Sequence, residues 1–273
     1  MHKKINIPGV AICHPRYKSR KTNRCLSQDQ MKKIASSVNT SIGRHDLEKH
    51  LGCSTGDEIC LLRKSGLSGG EKKEIEDSAF RPKMPHEWGQ NMRTWLSDYD
   101  IQQVMKQYEE AYPEFTFLEV APIDFSAQDP NIKDHQKCIV DTFCKINLKE
   151  SKAKGKTKIG AIFNLDPSYK GGSHWVGLFI DINKNEVNYF DSYGFYPPNE
   201  IKRLMKSLTL QNKNILLQYN QKKFQYKNSE CGMFSMIFII CMLNGEDFKH
   251  FCKNPITDDE ANAFRKFLYR EVP

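Results

Sequence analysis

Nowhere do the 273 residues hold an uninterrupted apolar run approaching the roughly 18 that a membrane-spanning helix needs. Behind the opening Met-His-Lys-Lys-Ile-Asn-Ile-Pro there is charge but no apolar stretch, so no signal peptide is expected. A mean hydropathy of −0.63 points the same way, toward a soluble globular protein with no membrane partner. Internal repeats and low-complexity tracts are also missing. Cysteine is not scarce, but its nine copies are an odd number, they lack the paired spacing of a secreted framework, and Cys241 sits inside an apolar run. That usage predicts lone thiols in a reducing, intracellular setting. Among Cys13, His14, Cys25, His50, Cys53 and Cys60 no close cysteine pair has the spacing of a zinc knuckle. No metal is expected there, and the histidines read as surface residues.

What is present is unevenly spread. Residues 1–50 carry eleven Lys/Arg against Asp29, Asp46 and Glu48, a surplus of eight that equals the net charge of the whole chain. The rest is close to neutral. A basic front segment has the composition of a nucleic-acid or other polyanion binder, although a solvated surface has the same composition. Helical spacing runs over 28–38 and 45–51, and nothing in 1–85 reads as a strand-rich core. Residues 65–73, with Gly66, Gly69 and Gly70, then Pro82 and Pro85, predict a flexible stretch and a boundary, giving segments 1–85 and 86–273.

Past that boundary the pattern changes. A helix is predicted over 92–112 from Trp95, Ile101, Val104, Met105 and Tyr108, with Ser97 or Asp98 capping its second part. Strands are predicted over 115–120 and 158–165, separated by a Lys-rich loop at 149–158. The clearest β signal is a hairpin, 174–182 and 186–193 about the turn Asn183-Lys184-Asn185. A helix from Pro197 to Thr209, a strand over 214–219, and a last helix over 257–270 opened by Thr257-Asp258-Asp259-Glu260 complete the pattern.

The segment from 225 to 245 stands apart. From Met233 to Leu243 nearly every residue is apolar, which describes a helix with no solvent face at the centre of a domain. Ser229 is placed to cap it and Glu230 suits its positive end. Cys231 then falls in the first turn, where free N–H groups and the dipole favour a thiolate, the form that attacks carbonyls. Gly232 leaves room for an approaching substrate backbone. A cysteine nucleophile needs a base, a group that orients the base, and donors for the oxyanion. His174 opens a strand after Gly171-Gly172, Asp191 lies near the end of the next, and Gln225 stands six residues before Cys231. Hairpin register leaves Asp191 about three residues short of His174, or ~10 Å, a gap that a bulge, twist or side-chain reach must close. Taken singly, each of these residues reads as readily as surface, turn or core.

Together their order resembles one family. His174-Trp175, Asp191 within Tyr189-Phe190-Asp191-Ser192, Gln225, and Glu230-Cys231-Gly232 resemble the adenain and SUMO-protease family of cysteine proteases, including members that process viral polyproteins. Papain-like enzymes run in the opposite order. The likeness covers about residues 90–273, with a thin extension to Leu51-Gly52-Cys53 and Cys60. It implies an α+β fold: a Ulp1/adenain-like cysteine protease core with a mixed central sheet flanked by helices, plus a small, mainly helical N-terminal arm. It further implies Cys231 as nucleophile, His174 as general base, Asp191 as its orienter and Gln225 as oxyanion donor. Trp175 would line a groove narrow enough for glycine alone, and no cofactor is implied. Glu230 departs from the Asp often found there, and Asp191 stands where viral members carry Asn. The implied substrates are viral structural polyproteins with Gly-Gly-Xaa sites, in host cytoplasm and virion. The alternatives are a ubiquitin-like-modifier isopeptidase, or a non-catalytic binding module whose basic arm holds nucleic acid.

Overall fold

The hairpin with the strongest β signal forms the centre of a five-stranded sheet in the order β1-β2-β3-β4-β5. The computed structural model describes residues 11–17, 22, 24–41, 43–128 and 138–271. These divide into two units, Pro85–Arg265 and the described residues of 8–84 and 266–273. Lys3, Lys4, Lys18, Arg20 and Lys21, which carry much of the frontal charge, lie outside the described residues.

The front unit holds helices α1 (Gln28–Ser36), α2 (Arg44–His50), α3 (Glu58–Lys64) and α4 (Gly69–Ala79). Leu26, Ile34, Leu47, Leu61, Ile75 and Phe80 form its core. The buried Glu58 carboxylate accepts the backbone N–H groups of Cys25 and Leu26 and pairs with Arg44. A buried charge so satisfied fixes where the chain enters α1.

Three expectations fail in these residues. Cys13–Cys25 and Cys53–Cys60 are disulfides, as is Cys138–Cys144 in the other unit, so six cysteines are bonded and the reading of a reducing setting loses its premise. The bonded pairs are set by Cα separations of 5.0, 5.8 and 6.6 Å that only the folded chain creates. A unit with so small a core gains most from such staples. His14 is buried, not a surface residue. Residues 65–73 are no flexible stretch, because Ser68 caps α4 in a capping box with Glu71 and the glycines Gly69 and Gly70 simply begin the helix.

In the larger unit a single 3₁₀ turn precedes α5 (Asp98–Ala111), which starts only at the Ser97 cap; the expected helical residues 92–97 lie outside it. Then follow β1 (Phe115–Pro122), α6 (Asp141–Cys144), α7 (Leu148–Ala153), β2 (Lys158–Asn164), β3 (Trp175–Asp181) and β4 (Glu186–Phe190). After them come α8 (Asn199–Gln211), β5 (Leu216–Tyr219), α9 (Cys231–Leu243), α10 (Phe248–Lys253) and α11 (Asp258–Ala263), while α12 (Arg265–Leu268) begins at this unit's last residue. The Lys-rich loop expected at 149–158 therefore contains a helix, capped by Asn147. The helix expected over 257–270 breaks at Phe264 into α11 and α12.

β1 and β5 run parallel to their neighbours β2 and β4, while β2-β3 and β3-β4 are antiparallel. This is a mixed sheet in an α+β fold. Val176, Leu178, Ile180, Val187 and Tyr189 pack on one face with the apolar stripe of α8. Across the other face lies α9, buried at all of its 13 residues. Two strand glycines admit it. A Cβ on Gly177 would meet the Phe238 ring at 2.8 Å, and one on Gly160 would meet Ile239 of α9 at 3.4 Å and the Phe115 ring of β1 at 2.9 Å. Gly177→Ala is expected to cost about 1–3 kcal/mol by overpacking, read as a lower urea midpoint at unchanged slope.

Candidate active site

A backbone that reverses tightly sets His174 in place. Gly172 adopts φ 89°, and the Asn164 amide fills the space where a Cβ would stand, 2.4 Å away. Only glycine fits there. The His174 carbonyl then accepts the Leu165 N–H, tying the residue to the end of β2 at the mouth of β3.

Asp191 follows the last residue of β4, and its Oδ1 lies 2.7 Å from His174 Nε2 with both residues buried. The ladder β3-β4 runs without a shift through Gly177↔Phe190. Continued outward, it sets Asp191 opposite Val176 and makes His174 its diagonal neighbour. Diagonal pairs stand about 7–8 Å apart at Cα and meet through long side chains, so the gap expected from register closes without a bulge. Asn220 holds the Asp191 backbone on both sides: its Oδ1 accepts the Asp191 N–H at 2.8 Å, and its Nδ2 donates to the Asp191 carbonyl at 2.6 Å. The Tyr193 N–H donates to the same Oδ1 that meets His174.

With Nε2 engaged by Asp191, Nδ1 is the imidazole nitrogen left to face Cys231, whose side chain acts on the ring. Burial disfavours the imidazolium, yet hydrogen bonds and charge from Asp191 and Cys231 outweigh it and push the His174 pKa from 6.5 up to about 9. Cys231 is the first residue of α9, where backbone N–H groups lack helical partners. Its N-cap is Glu230, not Ser229; the Ser229 hydroxyl donates to Glu230 Oε1 instead. Glu230 is fully buried and also accepts from Arg265 Nε at 3.1 Å, Arg265 Nη2 at 3.0 Å and Asn262 Nδ2 at 2.9 Å. The Arg265 guanidinium in turn lies 4.5 Å from the Trp88 ring centroid.

Gln225 is likewise sealed from solvent. Ser192 Oγ donates to its Oε1 at 2.6 Å, and the Phe224 and Gln225 N–H groups both reach the Ser192 carbonyl at 2.8 Å. That leaves Gln225 Nε2 without a hydrogen-bond partner. Trp175 donates its indole N–H to the Leu96 carbonyl at 3.1 Å. A Cβ on Gly232 would meet Leu96 at 2.8 Å and Trp175 at 3.2 Å, so the glycine expected to clear the way for substrate is filled over by these two side chains. Their packing is what requires it.

His174 is thus bonded to Asp191 with the Cys231 side chain acting on the same ring, Gln225 is held by its own buried contact, and Trp175 covers the first turn of α9. Arg265, Asn262, Asn220 and Leu96 escape a reading of the sequence, since nothing local links them to the motif. Ser192 stands inside the motif, but the motif attaches no role to it. A group whose folded pKa is raised stabilises the fold fully below 6.5 and loses that contribution as pH climbs through about 9. Asp191→Asn should lower the His174 titration by about one unit or more and flatten this loss; NMR titration and urea melts between these limits would show it. An unmoved titration would detach Asp191 from the imidazole.

Known proteins resemble this chain over most of its length. A relative from Acanthamoeba polyphaga mimivirus that carries a thiol-protease name is 29% identical over 299 residues, covering 96% of this chain and 94% of the relative. A SUMO-1 cysteine protease of African swine fever virus is 24% identical, covering 90% of this chain and 91% of the relative. The crystal structure of an African swine fever virus protease matches the fold with a TM-score of 0.71 at 21% identity, covering 97% of each chain. The model of the Ulp1 protease family, C-terminal catalytic domain, matches residues 128–272, and the chain belongs to that family of cysteine proteases.

Proposed function

We propose that this protein is a viral endopeptidase that cleaves structural polyproteins after Gly-Gly, acting in host cytoplasm and the maturing virion. The observation that carries the reading is His174, hydrogen-bonded to Asp191 and acted on by the side chain of Cys231 at the start of a buried helix. In this reading His174 takes the proton of Cys231 and holds it, and Asp191 fixes the ring so that Nδ1 faces the sulfur. The sulfur adds to the scissile carbonyl, forming a C–S bond while the carbonyl π electrons move to oxygen. Gln225 Nε2 and the Cys231 backbone N–H receive that oxyanion. Its collapse breaks the C–N bond, and the amine departs with the proton from His174. Water, deprotonated by the same imidazole, then hydrolyses the thioester.

Support for Gln225 comes from hydrogen-bond accounting. A buried amide N–H₂ with no partner costs about 1–3 kcal/mol, and an oxyanion would supply the missing acceptor. Support for glycine selectivity comes from the wall beside the sulfur. The Trp175 indole, pinned to Leu96 and packed on Gly232, has no freedom to swing aside for a larger side chain.

The name of the African swine fever virus relative, a SUMO-1 cysteine protease, favours a second reading in which the same residues cleave a modifier from a host conjugate. Incubation with a Gly-Gly-Xaa polyprotein fragment and with a SUMO conjugate separates the two: the fragment should be cut faster, and a preference for the conjugate would defeat the first reading. Cys231→Ala should abolish cleavage of both at an unchanged melting temperature. Ser192→Ala should reduce kcat by about tenfold with KM little changed, because it frees the Gln225 amide to turn; Ser192→Thr, which keeps the hydroxyl, should recover most of the loss, and Ser192→Ala added to Gln225→Ala should cost nothing more.

A further inference from the structure

Next to His174 the surface is unusually aromatic. The Tyr193 ring stacks on the imidazole at 4.8 Å between centroids, and Phe195 follows at 6.0 Å from Tyr193. Lys223 joins a third ring to them: its ammonium lies 5.4 Å from the Tyr193 centroid and 5.0 Å from that of Tyr226. Phe195 is 65% exposed and Tyr226 75% exposed, so both rings are open to a ligand. The platform is held firmly from beneath. Gly194 adopts φ 79° with its missing Cβ only 2.9 Å from the Gln221 carbonyl oxygen, which locks the two loops together. Tyr193 Oη adds a hydrogen bond to the Lys227 carbonyl at 3.4 Å.

The three lysines of this rim differ. Lys227 is ion-paired with Asp259 and Lys222 donates to the Lys253 carbonyl. Lys223 meets only rings, with no carboxylate in ion-pair distance among the described residues. A cation held between two aromatic faces and left without an anion is complementary to a carboxylate.

Reaction chemistry says which part of a substrate passes here. The leaving amine takes its proton from His174, so the chain that follows the scissile bond departs over the imidazole. The first surface it meets is the Tyr193 ring stacked on that imidazole. Trp175 and Leu96 pack on Gly232, the residue after Cys231, and in the protease reading they face the acyl half. We propose that Tyr193, Phe195, Lys223 and Tyr226 form a specificity surface for the substrate segment following the scissile bond and select an acidic side chain there, flanked by apolar ones. This rests on the protease reading above, and goes beyond it by assigning a determinant on the leaving side.

The test compares two kinds of substrate on the full chain. One is a peptide ending in Gly-Gly-aminocoumarin, which has no residues past the scissile bond. The other is a quenched-fluorescence peptide in which Gly-Gly is followed by a segment bearing either Glu or Lys. Lys223→Ala, Phe195→Ala and Tyr226→Ala should each lower kcat/KM on the Glu peptide by about tenfold, as truncation of a central contact does, and leave the coumarin substrate unchanged. Lys223→Glu should reverse the preference between Glu and Lys peptides. Equal losses on both substrates, no loss on either, or no Glu preference in the parent would overturn the proposal while the protease reading stands. A single-stranded oligonucleotide that binds the parent and not these variants, with peptide preference unmoved, would assign the rim to nucleic acid and overturn it as well. If the parent cleaves neither substrate kind, the protease reading itself falls.

Discussion

Glu230 and Arg265 are both without solvent exposure, and the position of Cys231 depends on the bond between them. A carboxylate and a guanidinium withdrawn from water are tolerable only when each saturates the other and the remaining lone pairs find donors. Here Ser229, Asn262 and Arg265 satisfy the carboxylate, and Trp88 lies against the guanidinium. Such a pair adds little net stability compared with an apolar core of the same volume. What it does supply is uniqueness, because a helix start shifted by one residue would strand a charge in the interior at a cost of about 3–5 kcal/mol. The residue after that carboxylate is the nucleophile of the proposed reaction.

Around it the polar groups fall into two classes. Asn220, Ser192 and Asn164 are engaged by backbone or side-chain partners, and each immobilises a neighbour: Asn220 the Asp191 backbone, Ser192 the Gln225 amide, Asn164 the turn before His174. Gln225 Nε2, Asp191 Oδ2, Arg265 Nη1 and Ser235 Oγ are buried with no partner. In the proposed reaction an open buried donor suits a visitor that brings an acceptor. The proposed oxyanion has that property, and the ground-state carbonyl has it only weakly. Differential satisfaction of this kind lowers a barrier where uniform binding would not.

Much of this is legible in the chain. Period-two patterns and short apolar runs locate the five strands, and the apolar run 233–243 locates α9, because both signals are local and strong. His174, Asp191, Gln225 and Cys231 group together because their order along the chain resembles a known one. What escapes is whatever depends on distant residues meeting. Cys13 finds Cys25 and Glu230 finds Arg265 only after the folding of everything between, and spacing carries no trace of it. α7 is hidden because lysines, good helix formers, also describe a solvated loop, and the Asn147 cap is the signal that separates the two. The glycines before Lys72 suggest a flexible boundary, while the Ser68 and Glu71 capping box, three residues apart, describes the helix that is there.

A helix that is apolar on every side, as α9 is, has no amphipathic stripe, so hydrophobicity drives it into the centre but leaves its rotation about its own axis unspecified. Rotation matters here more than anywhere else in the chain, since successive residues point about 100° apart and a turn by one position would aim the sulfur away from His174. The information is supplied by shape and by charge at separate places. Gly160 and Gly177 cut notches in the sheet that receive Ile239 and the Phe238 ring, and Gly232 provides a flat patch for Leu96 and Trp175. The Glu230 carboxylate, bonded to Arg265, fixes the end. Three glycines and one ion pair therefore do for this helix what a polar face does for others. Their common effect is to hold one sulfur where it acts on one imidazole, in a core that would otherwise accept several orientations.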